Sequence, residues 1–65
     1  MTLKAARTNV GLTQREVAKT LKISTKTLSG WETGKTSPKI DMVDKMCELY
    51  GVDYDSINFL PEGSL

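Results

Sequence analysis

The chain has 65 residues, of which 38% are hydrophobic and 26% charged, and its formal net charge is +1. This length suits one folded domain with one small core. A single cysteine, Cys47, excludes an internal disulfide, the lack of histidine argues against a metal site, and no apolar run is long enough to span a membrane. Because no charged-then-apolar leader precedes the first motif, we expect a cytoplasmic protein.

The first predicted element is a short helix at the start of the chain. Thr2 can cap it, and it runs to about Asn9 with Leu3 and Ala6 facing inward. Gly11 permits a positive φ, so the chain is expected to turn there.

The next part of the chain predicts two helices with a very short turn between them. Thr13 and Glu16 have the spacing of a capping box, and the helix that they open closes at Leu21. Ser24 can cap a second helix, and Gly34 is placed to end it. Two helices joined so tightly must cross steeply, which is the geometry of a helix-turn-helix spanning residues 13–33.

A fourth helix is predicted after the loop that Pro38 enforces. It runs from about Ile40 to Tyr50, and Gly51 ends it. Its apolar side chains recur at helical spacing, so they are predicted to face the core. These residues are Ile40, Val43, Met46, Cys47 and Tyr50.

The last predicted helix is short. Asp53 can cap it, and it is expected to bury Tyr54 and Ile57. The domain is expected to cover residues 1–60, with residues 61–65 as a flexible tail.

The charges divide unevenly along the chain. Residues 1–39 hold eight basic and two acidic side chains, whereas residues 40–65 hold one basic and six acidic ones. The basic part contains the predicted helix-turn-helix, so it would present a surface that attracts polyanions. The alternative is that these charges are ordinary solvated side chains.

Three stretches of the sequence carry a family resemblance: GLTQREVA (11–18), ISTKTLSGWETGK (23–35), and PKIDMV (38–43) with LYGVDYDSI (49–57). Together they resemble the Cro/C1-type (XRE) helix-turn-helix family, which includes phage repressors and Cro proteins. One departure is Lys22, which stands in the turn where the family commonly has a left-handed glycine. The resemblance implies an all-α, five-helix, lambda-repressor-like domain. The residues that fit the motif's apolar and small positions are Val17, Ala18, Leu21, Ile23, Leu28 and Trp31.

This resemblance implies a sequence-specific regulator of double-stranded DNA, acting as a repressor that binds a palindromic operator as a homodimer. Residues 24–33 would form the recognition helix in the major groove. The residues implied to read bases are Thr25, Lys26, Ser29, Gly30 and Gln14. The alternative is that they form the solvated face of a surface helix.

Contacts to DNA phosphates are implied for residues around the start of the second helix and in the loop after the third. They are Thr13, Gln14, Arg15, Lys35, Thr36 and Ser37. For Lys35 the alternative is a solvated loop charge.

Two further features have a structural interpretation. Arg7 and Glu32 are expected, from the resemblance, to form an ion pair that orients the recognition helix; the alternative is that both are exposed and unpaired. Gly30 costs helix stability relative to alanine. It either lets the helix approach DNA closely or reduces the number of reading side chains, or position 30 contacts nothing. Cys47 is interpreted as a core residue rather than a redox switch.

Apolar residues outside the core stripe could form the dimer surface or could pack on their own domain. They are Met42, Leu49, Tyr54, Phe59 and Leu60. A second function class stays open: a protein-interaction module, either an antitoxin-like or a scaffold domain, that uses the same fold. We expect no enzyme and no cofactor, because no nucleophile beside a base and no metal cluster is evident.

Overall fold

The computed structural model describes residues 1–58. This part of the chain is all-helical, as predicted, and no strand lies within it. The helices are α1 (Leu3–Asn9), α2 (Gln14–Leu21), α3 (Thr25–Thr33) and α4 (Ile40–Tyr50), followed by a short 3₁₀ helix (Tyr54–Ser56).

Side chains at the helix starts explain where the first three helices begin. Thr2 Oγ1 accepts from Ala5 N at 3.0 Å. Thr13 and Glu16 form the predicted capping box, with Thr13 Oγ1 accepting from Glu16 N at 3.1 Å and Glu16 Oε1 from Thr13 N at 3.0 Å. Ser24 caps α3 in the same way. These bonds satisfy N–H groups that a helix start leaves without partners.

The last three α-helices each end at a left-handed residue. Gly34 and Gly51 end α3 and α4 at φ +81° and +67°. Lys22 ends α2 at φ +59°, and it is the non-glycine residue with positive φ among residues 1–58. The turn that follows brings Ile23 N to Ala18 O at 2.9 Å, which fixes how steeply α3 leaves α2.

The core is formed where α1, α2, α3 and α4 meet. Its buried members are Leu3, Ala6, Val17, Leu28, Val43, Met46, Cys47, Tyr50 and Ile57. Leu12, Leu21, Ile23, Trp31 and Val52 pack against it and are partly buried. A core of this composition can hold α3 rigidly while its opposite face stays in solvent.

Two predicted core residues lie outside the core. Ile40 is 68% exposed, because it is the first residue of α4 and the inward stripe begins one turn later at Val43. Tyr54 is 43% exposed, since the last helix is a single 3₁₀ turn and has no continuous inner face. Asp53 precedes that turn but makes no side-chain cap. The predicted fifth helix is therefore one 3₁₀ turn.

The start of the chain lies against its last described residues. The Met1 ammonium donates to Ser56 O at 2.6 Å, and Asn58 N donates to Met1 O at 2.6 Å. An isolated parallel bridge joins Thr2 to Asn58. The predicted domain end at residue 60, the tail 61–65, and Phe59 and Leu60 lie outside the described residues. No helix within residues 1–58 is long and apolar enough to cross a membrane.

Candidate nucleic-acid interface

The α3 helix has one face in the core and one face in solvent. Leu28 is fully buried, whereas Thr25 and Lys26 are exposed and Ser29 is half-buried. The polar side chains of its N-terminal half are therefore held outward on a helix whose inner face is anchored.

An ion pair fixes α3 against α1. Arg7 Nε donates to Glu32 Oε2 at 2.7 Å, and Arg7 Nη2 donates to Glu32 Oε1 at 3.2 Å. The Glu32 side chain is only 2% exposed. Arg7 Nη1 also donates to Leu12 O at 2.8 Å, so the same guanidinium holds the turn before α2. The hydrogen bonds to Glu32 raise the pKa of Arg7 above its usual value, so the guanidinium stays charged at any ordinary pH.

Gln14 joins this network. Its Nε2 donates to Glu32 Oε1 at 2.8 Å, which links the start of α2 to the end of α3. Gln14 was predicted to contact DNA, but its bond to Glu32 was not predicted. Sequence spacing carries no signal for it, because the two residues are 18 positions apart.

The hydroxyl of Tyr50 is buried beside the same ion pair. It has no hydrogen-bond partner among the described residues. Burial raises the pKa of Tyr50 to about 12, and the negative charge of Glu32 adds to the rise while Arg7 opposes it. The ring packs in the core. The hydroxyl loses its hydrogen bonds to water on folding and makes none to the described residues, which is a net cost.

Gly30 lies under the loop that follows α3. Its carbonyl oxygen accepts from Lys35 N at 3.0 Å and from Thr36 N at 3.3 Å. A Cβ at position 30 would lie 3.1 Å from Thr36 Oγ1, closer than side chains normally approach. Position 30 therefore does have a neighbour, contrary to one of the interpretations above. The glycine leaves room for the loop to close onto α3.

A shallow open groove follows from this arrangement. It lies between the outer face of α3 and the loop, and two lysines are among the residues that line it. Its lining residues are Lys26, Thr27, Ser29, Gly30, Trp31, Thr33, Lys35 and Thr36. Trp31 is half-buried, so its ring both packs on the core and forms part of this surface.

The predicted phosphate-contacting residues occupy two places beside α3. Thr13 and Arg15 are exposed at the start of α2, and Gln14 between them is half-buried. Lys35, Thr36 and Ser37 are exposed in the loop after α3. The hydroxyl oxygen of Thr13 already accepts a hydrogen bond as a helix cap. Only the remaining hydrogen-bonding capacity of that hydroxyl is available to a ligand.

The predicted dimer residues that the structure describes, Met42, Leu49 and Tyr54, do not form one exposed patch. Met42 and Leu49 are partly buried against the core of their own domain. Tyr54 is exposed, and it lines an apolar depression with Pro38 and the exposed Ile40. Phe59 and Leu60 fall beyond the described residues.

Cys47 is a buried core thiol. Burial raises its pKa, and the nearby carboxylates Asp44 and Asp53 raise it further. Because the thiolate is the reactive form, this environment suits a packing residue.

These features define a class of protein: a small domain that presents a short, outward-facing α3 across a tight turn from α2. A family model described as helix-turn-helix matches residues 3–57. The chain therefore belongs to the Cro/C1-type helix-turn-helix family and is a DNA-binding regulator, in a family that is generally non-enzymatic. No curated protein and no solved structure matches the chain.

Proposed function

We propose that the protein is a transcriptional repressor that binds a palindromic operator as a homodimer, with α3 in the major groove. The observation that carries this proposal is the chemistry of the exposed face of α3. Thr25 and Lys26 offer hydrogen-bond donors to base edges, and Lys26 matches the two acceptors of guanine.

The outer face of α3 exposes no carboxylate, and this supports the proposal. Glu32 is the one acidic residue of α3, and its carboxylate is buried and paired with Arg7. The exposed charged side chains of α3 and of residues 34–39 are Lys26, Lys35 and Lys39, so this surface carries positive charge, as binding to a polyanion requires.

A dimer is proposed because a single domain of this kind covers few base pairs. Two copies related by a twofold axis would read two half-sites about one helical turn apart. The exposed pair Ile40 and Tyr54 is the favoured contact between the copies, in preference to Met42 and Leu49, which are used in the core. A dimer bound to a promoter would block the access of other proteins to that DNA. We therefore expect the protein to repress transcription.

Selection of bound sites from random duplex DNA tests the proposal. We expect a palindromic sequence to be enriched. We also expect Lys26→Ala to weaken binding to it by roughly 5- to 150-fold per half-site, with helical circular dichroism unchanged. Lys45→Ala, which removes a lysine from the exposed side of α4, is the matched control and should bind like the wild type.

Two outcomes would contradict the proposal. One is the enrichment of no sequence at any salt concentration. The other is binding that is insensitive to salt together with a tight protein partner, which would favour the interaction module, since phosphate contacts make log K fall steeply with log salt.

A further inference from the structure

We propose that Gly30 is a positioning residue: because it has no side chain, the loop of residues 34–37 closes against α3, and this closure sets where Lys35 and Thr36 meet the DNA backbone. The inference rests on the proposed function, because it concerns how two loop residues reach DNA. It gives Gly30 a role in affinity that does not require the glycine itself to touch DNA.

The end of α3 is closed by three backbone hydrogen bonds. Gly34 N donates to Trp31 O at 3.4 Å, and Lys35 N donates to the carbonyl oxygen of position 30 at 3.0 Å. These two bonds are those of a Schellman motif, the common way for a helix to end at a left-handed glycine. Thr36 N adds a third bond, to the same Gly30 oxygen, at 3.3 Å. The loop therefore stays on the helix for one residue beyond the usual cap.

The backbone at position 30 does not itself require glycine. Gly30 lies inside α3 and is not among the residues with positive φ, so alanine would be the better helix former there. The constraint is space, because a Cβ on Gly30 would lie 3.1 Å from Thr36 Oγ1, whereas ordinary contacts of a Cβ are 3.4–4 Å. A side chain at position 30 would therefore displace Thr36 and weaken the bond of its amide to the helix.

The position of this loop bears on binding because of the charge that it carries. Lys35 is exposed, and it lines the same groove as Lys26 on the outer face of α3. A lysine beside the recognition helix can meet a phosphate while that helix meets base edges. Closure of the loop therefore places the phosphate-binding and base-reading groups on one surface.

A comparison of melting temperatures in the free protein tests the closure. Replacing glycine by alanine at an open helix position raises Tm by roughly 4–8 °C in a domain of this size. We expect Gly30→Ala to raise Tm by at least about 2 °C less in the wild-type background than in a Thr36→Ala background, where the hydroxyl is absent. We also expect the Thr36 amide to exchange its hydrogen faster in Gly30→Ala than in the wild type.

Salt titrations of DNA binding test the consequence, with the larger variant Gly30→Leu. We expect it to weaken binding to all sequences alike and to reduce the slope of log K against log salt by about 1 per bound domain. The selected sequence should not change. In a Lys35→Ala background, Gly30→Leu should reduce the slope no further. Thr20→Leu adds a leucine on the side of α2 next to α4, and as the matched control it should bind like the wild type.

Three results would overturn the inference. They are an equal effect of Gly30→Ala on Tm in the two backgrounds, an unchanged salt slope in Gly30→Leu, and a changed sequence preference, which would mean that position 30 itself meets the bases. Gly30→Ala is titrated as well and should show a smaller change in the same direction, which keeps the test decisive if Gly30→Leu does not fold. If the wild type binds no DNA, the proposed function fails, whereas the melting comparison still reports on the loop, so the two failures are distinguishable.

Discussion

Lys22 holds the turn between α2 and α3 in a conformation that disfavours residues with a Cβ. Its φ is +59° and its ψ is +43°. Such a residue costs on the order of 1 kcal/mol relative to glycine in the folded state. Glycine loses more chain entropy on folding, which offsets part of that difference.

We therefore predict that Lys22→Gly raises the free energy of unfolding by about 0.5 kcal/mol, measured by urea denaturation. Lys22→Ala removes the same charge and keeps the strained conformation, so it should give no increase. Equal stabilisation by both variants would show that the lysine charge, and not the backbone, is responsible.

Tyr50 illustrates the cost of a buried polar atom without a partner. Its hydroxyl lies in the core and makes no hydrogen bond within residues 1–58. We predict that Tyr50→Phe leaves the free energy of unfolding unchanged or raises it by up to about 1 kcal/mol, because the lost hydroxyl carried a desolvation cost. A loss above about 1 kcal/mol in chemical denaturation would reveal a partner for this oxygen.

The same residue gives a pH dependence with a defined sign. The folded-state pKa of Tyr50 is about 12, above the ordinary value of 10. Above pH 10 the unfolded chain loses this proton first, so its contribution to stability is fully present below pH 10 and is lost as the pH rises toward 12. The decline in stability over this window should be shallower in Tyr50→Phe than in the wild type.

At the scale of elements, the ion pair of Arg7 and Glu32 links α3 to α1. Replacing one partner leaves the other as an uncompensated buried charge, which typically costs about 3–5 kcal/mol. We predict that Arg7→Met and Glu32→Leu are each strongly destabilising. The double variant should lose less than the sum of the two, because both charges are then absent.

Urea denaturation of the wild type and the three variants gives this comparison as a double-mutant cycle. Losses that add to within about 0.5 kcal/mol would mean that the two side chains act independently. In that case the pair would not be what orients the recognition helix.

Helix boundaries were the most predictable feature at this scale, because they depend on local chemistry. Thr2, Thr13 and Ser24 were expected to cap α1, α2 and α3, and each accepts the corresponding backbone N–H. The faces of the helices were less predictable at their ends. Ile40 fits the periodic pattern of α4, but it is the first residue of that helix and its side chain remains 68% exposed.

At the scale of the molecule, the uneven charge distribution bears on how the protein would approach DNA. The loop lysine Lys35 is exposed beside α3, whereas Lys45 lies on α4 in the acidic part of the chain. We predict that Lys35→Ala weakens binding to every DNA sequence alike and reduces the slope of log K against log salt by about 1.

Fluorescence anisotropy titrations over a range of salt concentrations measure that slope. Lys45→Ala serves as the matched control, since it removes the same charge from the other part of the surface and should leave the slope unchanged. Equal effects of the two variants would indicate that net charge alone, and not a defined binding face, governs the interaction.

Local chemistry was enough to predict the all-α class, the four α-helices and the tight turn between α2 and α3, because caps, turn residues and apolar spacing act over only a few positions. The bond from Gln14 to Glu32, the closure of Thr36 over Gly30 and the unpaired hydroxyl of Tyr50 required the folded chain. They depend on distances between residues far apart in sequence, and those distances exist only once the helices have packed around their shared core.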